Sequence, residues 1–438
     1  MLDTLAKDLK HVWHPCSQMK DYKIFPPQEI IGARGSYIYL SNGNKIIDAI
    51  SSWWCKSLGH QHPRLKEAML RQADQFEHVI FANTTHRIIA DLSEQLAALC
   101  PPLDKVFYAG DGSCAVEVAM KMSLHARQIM GQSTRTVFVA LENAYHGETV
   151  GALSVSDLGL YRAPYQSLCF PVKFIQGVPY VHHQQDPLWR DCAAHWRVIE
   201  VQLERIANQV TAIIIEPIVQ GAAGMKIYSQ DFLARLREWT SKHGIHLIAD
   251  EIMTGIGRTG KMLACEHAQV EPDFICLAKG LTSGWLPFSA VLTRQAIYDV
   301  FYDDYVKGKS FLHSHTYSGN ALGAAIALQV LHVMKEEELC QRAEQLGKYM
   351  YTAMCAIACR TGRIANVRQI GALVAADLIG IDCSQRRLGF ELFQQAVQQG
   401  AWLRPLGNTI YWLPPLNSAV SVIDDLAEIT EKVITTVN

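Results

Sequence analysis

The chain has 438 residues, 49% of them hydrophobic and 19% charged, with a formal net charge of −2. That length exceeds the usual single domain and predicts two, while the balanced charge gives no electrostatic reason for nucleic acid or an anionic membrane as partner. No apolar run approaches a membrane span, the N-terminal MLDTLAKDLKHVW mixes charges of both signs, and no C-x-x-C pair occurs. Signal peptides, transit sequences and zinc or redox motifs are therefore not expected. The reading is a cytoplasmic chain without a metal site, its thiols acting as small buried hydrophobes.

Residues 3–13 read as a short amphipathic helix ending at His14-Pro15. YIYL and KIIDAI follow as strands on either side of Ser41-Asn42-Gly43-Asn44, whose Asn-Gly pair signals a hairpin. Trp53-Trp54 comes next, and paired tryptophans suit core or interface packing as well as a ligand wall. His60 and His62 have no acidic or third ligand nearby and read as helix-entry residues before Pro63. Two helices, broken near Phe81-Ala82-Asn83, span Pro63 to Leu99. VFYA is a short buried strand, Gly110-Asp111-Gly112-Ser113 a tight turn, and Ala115 to Met130 a helix. The free N–H groups and dipole at a helix start make an anion site. Gly112 would let a phosphate approach and Ser113 would add a donor; Ser113 equally fits an ordinary helix cap.

TVFVAL is another strand, and Tyr145 just beyond it could lie on a planar cofactor or simply pack. Residues 157–190 lack periodicity and read as a long surface excursion, with His182-His183 as solvated loop. TAIIIEPIVQGAAG has the pattern of a central parallel strand, apolar on both faces, with Glu216 and Gln220 at its exit. A crossover helix over 231–243 leads to IHLIAD, and FICLA lies one strand–crossover–strand unit further on. Asp250 ends the first of these strands and Lys279 follows the second, at the edge where open α/β sheets bind ligands. An acid and an amine there suit pyridoxal phosphate: the amine would hold the aldehyde, and the acid would keep the ring nitrogen protonated. Strand alternation puts Asp250 and Ile252 on one face, so Ile252 can pack on the ring, and turns Glu251 away.

Gly255-Ile-Gly-Arg-Thr-Gly260 matches the dinucleotide fingerprint, and Gly255–Lys261 nearly matches the P-loop. Met262 stands where the P-loop needs Ser or Thr, and no long apolar helix follows. The glycines read as a turn-rich loop, with Arg258 either a solvated charge or a site residue; an ATP- or NAD-binding protein is the distant alternative. Beyond Lys279 come a turn and strand in GLTSGWLPFSAVLT, a loop at Ser314-His315-Thr316, and a long helix from near Asn320. From about 330 the pattern changes to helices, then strands near VRQIGALVAADLI and TIYWLPPL. Arg404 sits in a Pro/Gly-bounded loop, where it is solvated unless it holds a carboxylate bidentately. The expected fold is α/β. A large domain over 56–329 holds a mostly parallel central sheet; 1–55 joins 330–438 in a smaller α+β domain.

Taken together, SSWW, GDGSCAVEVAMKM, NAYHGET, IIIEPIVQGAAGM, LIADEIMTGIGRTGKMLACEH, FICLAKGLTSG and LRPLGNTIYWLPPL resemble the class III pyridoxal-phosphate aminotransferases of fold type I. Nearly the whole chain is covered, and the finer likeness is to members that aminate 8-amino-7-oxononanoate to 7,8-diaminononanoate in biotin biosynthesis. The resemblance implies that Lys279 carries the cofactor and shuttles the proton, and that Asp250 pairs with the ring nitrogen. Gly112 and Ser113 would hold the phosphate, helped by the His315-Thr316 loop reaching in from a neighbouring subunit of a homodimer. Tyr145 would cover the ring and, with Trp53, Ser314 and Arg404, form the substrate site, Arg404 taking the carboxylate. Two departures bear on the amino donor: Cys16 replaces an aromatic that stacks on adenine, and His313-Ser314-His315-Thr316 replaces His-Gly-Pro-Thr. Adenosylmethionine is the expected donor, with lysine the alternative. Another class III ω-aminotransferase, or a decarboxylase of the same family, is the alternative.

Overall fold

The computed structural model describes residues 3–379 and 386–436. The N-terminal helix runs Thr4–His11, capped by the Asp3 carboxylate, which accepts the Ala6 N–H at 2.7 Å. An antiparallel sheet follows from β1 (Ile30–Arg34), β2 (Tyr37–Leu40) and β3 (Lys45–Ile47). The β2–β3 hairpin turns at Asn42-Gly43, where Gly43 has φ 88°, a conformation that glycine adopts without a steric penalty.

Ten strands come next in chain order: β4 (Lys105–Ala109), β5 (Val137–Leu141), β6 (Val172–Ile175), β7 (Tyr180–Val181), β8 (Val210–Ile215), β9 (Val219–Gln220), β10 (Lys226–Tyr228), β11 (His246–Asp250), β12 (Phe274–Leu277) and β13 (Ser289–Thr293). Seven of them build the central sheet in the order β4-β13-β12-β11-β8-β5-β6. Only β13 runs against the others, antiparallel to both β12 and β4. Alternate residues serve two cores. Phe138, Ile214, Ile248 and Phe274 pack with Val116 and Ala119 of helix Gly112–Ile129 on one face. Val139, Ile213, Leu247 and Ile275 join Ile199 and Leu236 of helices Ala193–Glu204 and Gln230–Lys242 on the other. Each large side chain buried this way stabilises the fold by roughly 1.5–3 kcal/mol. With both faces covered, β8 and β12 are buried at every position, and so they read as unbroken apolar runs.

The 157–190 excursion is overturned in part. β6 lies within it and forms an edge of the central sheet, parallel to β5, and β7 pairs with β10. VKFI is short and half-exposed at this edge, so it lacks the apolar run that marks the central strands.

After helices Ala321–Glu336 and Leu339–Thr361 the chain forms a second antiparallel sheet, β14 (Ile364–Ile370), β15 (Leu373–Leu378) and β16 (Thr409–Trp412). The N-terminal segment packs against this late part. The Ile47 N–H donates to the Gly400 carbonyl at 2.8 Å, and the Trp402 N–H to the Ile47 carbonyl at 2.7 Å. The 329/330 boundary falls inside the continuous helix Ala321–Glu336.

Arg258 is neither a solvated charge nor a lining of the cavity described below. It is 3% exposed and donates to the Ala372 and Pro414 carbonyls at 3.0 and 2.8 Å, tying the glycine-rich loop to the C-terminal part. Arg368 makes the reverse contact, donating to the Gly224 carbonyl at 2.6 Å. A Cβ at Gly257 would lie 2.3 Å from Met334, and one at Gly260 2.6 Å from Glu344. That loop is packed against helices and leaves no room for a nucleotide. Among the described residues no helix is long and apolar enough to cross a membrane.

Candidate active site

β11 and β12 are parallel neighbours with Asp250 opposite Cys276, so the acid and Lys279 leave the sheet side by side. Asp250 is 4% exposed; its Oδ1 accepts the Ile252 N–H at 3.1 Å, and its Oδ2 lies 2.8 Å from Nδ1 of His146. His146 was missed in the sequence, although its place beside Tyr145, just past a strand exit, was a usable signal. It arrives from the turn after β5, where its N–H donates to Ser156 Oγ at 2.9 Å. Its Nε2 is buried without a partner, a polar atom held ready at the cavity wall.

Lys279 has φ 41°, in the left-handed region, and its amine lies 4.9 Å from the Trp54 ring centroid. Burial lowers its pKa, while Asp250 and Glu216 oppose that shift. Glu216, at the β8 exit, accepts the Tyr145 N–H at 3.0 Å and the Gly221 N–H at 2.9 Å. Burial pushes its carboxyl up to about 7. The Tyr145 hydroxyl donates to Glu148 at 3.1 Å. Glu251 faces away, as the alternation predicted, accepting the Thr254 hydroxyl and the Cys265 N–H.

Helix Gly112–Ile129 begins earlier than the expected Ala115. Its cap is Asp111, whose carboxylate accepts the Cys114 N–H at 2.9 Å and whose carbonyl accepts the Ala115 N–H at 3.1 Å. Ser113 is thus released from capping, and the Gly112 and Ser113 N–H groups stand at the helix tip. The missing side chains keep this end open. A Cβ on Gly112 would lie 3.0 Å from Ile252, and one on Gly147 only 2.1 Å from Ser113 Oγ. Gly112, Ser113, Tyr145, Asp250, Ile252 and Lys279 all line one cavity of about 500 Å³, with Trp54 and His146 in the same wall.

Trp53 and Arg404 line a second cleft of about 780 Å³, together with Cys16 and Tyr161. The Arg404 guanidinium carbon lies 4.6 Å from the Trp53 ring centroid, and Arg404 donates to the Cys16 carbonyl at 2.8 Å. The two spaces adjoin: Trp53 and Trp54 are neighbours in the chain, and the Tyr145 and Tyr161 rings are 6.2 Å apart. Ser51 to Trp54 all have positive φ, from 45° to 74°, at about 1–2 kcal/mol per residue. His60 is more than a helix-entry residue, since it pairs with buried Asp48 at 2.8 Å. Ser314, His315 and Thr316 line neither space within this chain; His315 instead meets His313 at 3.1 Å, and His313 meets Lys121 at 2.8 Å. Among the described residues no group of His, Cys, Asp and Glu could hold a metal ion.

The sheet and its acid–amine cavity define a transaminase that depends on pyridoxal phosphate. The chain belongs to the class III aminotransferase family, whose model matches residues 21–434. It is 38% identical to an adenosylmethionine-8-amino-7-oxononanoate aminotransferase of Helicobacter pylori, over 94% of this chain and 92% of that protein. A Geobacter sulfurreducens protein of the same name is 36% identical over 98% and 97% of the two chains. Among solved structures, the Methanocaldococcus jannaschii enzyme of that name superposes with TM-score 0.90 at 30% identity, covering 98% of each chain. An amine transaminase from an uncultivated Pseudomonas species, in its PLP-bound form, superposes with TM-score 0.89 at 29% identity, over 98% and 99% of the chains. The residues present suit the family's cofactor: open N–H groups at one end, a buried carboxylate with an orphaned histidine nitrogen behind it, and a lysine amine.

Proposed function

We propose that this chain catalyses transfer of an amino group to 8-amino-7-oxononanoate, giving 7,8-diaminononanoate, a step of biotin formation. The observation that carries the reading is the pairing of two adjoining spaces. One holds Lys279 and Asp250, and the other offers a guanidinium, Arg404, backed by Trp53 and donating to the Cys16 carbonyl. A long keto acid with a terminal carboxylate needs both, an apolar passage to the amine and a bidentate anchor at the far end.

Bound pyridoxal phosphate supplies an aldehyde that takes up amines and a ring that withdraws electrons. Gly112 and Ser113 bind the phosphate through the helix-start N–H groups. Asp250, held by His146, keeps the proton at the ring nitrogen. Ile252 and Tyr145, which line the cavity, would flank the ring and exclude water. Lys279 would hold the cofactor and then move the proton at the substrate carbon, a task that the lowering of its pKa by burial favours. The homodimer, with His315 and Thr316 completing the neighbour's phosphate site and Ser314 its substrate site, belongs to the same proposal. So does a division of labour between a large part, 56–329, carrying Lys279, and the two chain ends carrying Arg404. Free thiols at all described cysteines favour a cytoplasmic setting.

Purified protein incubated with 8-amino-7-oxononanoate and either adenosylmethionine or lysine should form the diamine, and the better donor should bleach the cofactor absorbance faster. No product with either donor, while other ω-amines react, would overturn the reading.

A further inference from the structure

Four successive residues with positive φ do not persist without support, because L-residues leave that region when free to do so. The ends of the Ser51–Trp54 turn have anchors of their own. Ser51 Oγ donates to the Leu413 carbonyl at 2.6 Å, and the Trp54 indole N–H to the Tyr411 hydroxyl at 3.0 Å. The middle hangs on Asp48, which is fully buried. Its Oδ1 accepts the Ser52 N–H at 2.8 Å; its Oδ2 accepts the Ser52 hydroxyl at 2.7 Å and the His60 ring N–H at 2.8 Å. His60 is itself fixed, because its backbone N–H and carbonyl exchange bonds with Gly35 at 2.8 and 2.9 Å. Trp53 directly follows Ser52, is 41% exposed, and supports Arg404 at 4.6 Å.

We propose that Asp48 and His60 are positioning residues for substrate selection: through Ser52 they hold Trp53 beneath Arg404 and so set where the carboxylate is bound. The effect on the reaction rests on the reading of Arg404 as that anchor. Trp54 and the Lys279 cavity keep their separate anchors, so the influence falls on binding the keto acid rather than on the proton transfer.

The test compares Asp48→Ala, His60→Ala and His60→Gln, each loaded with pyridoxal phosphate, by crystallography and by steady-state kinetics. In Asp48→Ala the middle of the turn, Ser52-Trp53, should relax and Trp53 should leave Arg404. KM for the keto acid should rise about tenfold with kcat within about threefold. His60→Ala should raise KM about threefold, and His60→Gln, which keeps a donor to Asp48, should restore it. Trp53 still seated on Arg404 in Asp48→Ala, or kcat falling as far as KM rises, would overturn the proposal. If Asp48→Ala does not fold, Ser52→Ala removes one of the contacts and carries the same comparison. The crystallographic result needs no substrate. Failure of the wild-type protein to aminate the keto acid would therefore sink the proposed function and leave the positioning of Trp53 to be decided by the structures.

Discussion

The two adjoining spaces differ in what their walls are made of. The inner cavity is framed by strand exits and a helix start: Asp250 ends β11, Lys279 follows β12, Glu216 follows β8, and Gly112 opens an 18-residue helix. The outer cleft is framed by segments far apart in sequence, including 14–18, Trp53, Tyr161 and Arg404. A sheet holds the first set through its backbone ladder, so each side chain inherits its place from the pairing register. Loops and a strained turn hold the second, through a few side-chain bonds. Under the proposed function this is a separation of tasks: reaction groups sit on the rigid frame, and recognition groups sit where change is cheap.

Breaking the inner frame should give the largest effects. Lys279→Ala should abolish turnover, with a loss of at least about 10⁴-fold, and leave the thermal midpoint close to wild type, because the side chain removed lines the cavity and carries a desolvated charge. Steady-state rates and a melting curve check both halves; retained activity would mean that another base moves the proton. Asp250→Asn should weaken cofactor retention and lower kcat by about 10²-fold or more, measured by dialysis followed by absorbance and rates. In the outer cleft the balance should reverse. Arg404→Ala should raise KM for the keto acid about 10- to 100-fold, in line with a lost charge-assisted pair, with kcat little changed. Equal effects on kcat and KM would erase the distinction between the two spaces.

The smallest expected effect concerns the far face of the sheet. Burial raises the Glu251 carboxyl to about 7 in the fold, above its ordinary value of 4.5. Its contribution to stability is therefore fully present below about pH 4.5 and is lost as pH rises through about 7. Gln at this position stays neutral throughout. The thermal midpoint of Glu251→Gln relative to wild type should thus climb by a few degrees between about pH 5 and about pH 8. A flat difference would mean that Glu251 ionises freely.

How much of this was legible follows from the same contrast. IHLIA and FICLA announce buried parallel strands, and the acid and amine at their ends locate the inner cavity without help from any relative. Tyr145 and the Gly112-Ser113 turn were legible as possibilities, and the structure brings them to that cavity. His146 was not read, because a histidine beside a glycine carries no periodicity and its partner is 104 residues away. The sequence could not show which of Trp53 and Trp54 would face Lys279. A left-handed turn sends the two rings to different spaces, and no residue in SSWW advertises positive φ. Arg404 looked like a solvated loop charge by every local measure, and only the resemblance singled it out. β6 was lost for the opposite reason, being too short and too exposed to look like part of a sheet.

The reversed strand β13 has a further consequence. It sits between β12 and β4, which run the same way and so open toward the same edge. The exits carrying Lys279 and Gly112 are thereby spaced by two inter-strand steps, roughly 10 Å. Their separation is a ruler cut into the backbone. It fixes the span between the root of the lysine and the helix-start N–H groups, and no side-chain substitution can lengthen it. Side chains at the rim can be exchanged; the spacing of the backbone around Lys279 is written into the order of the strands.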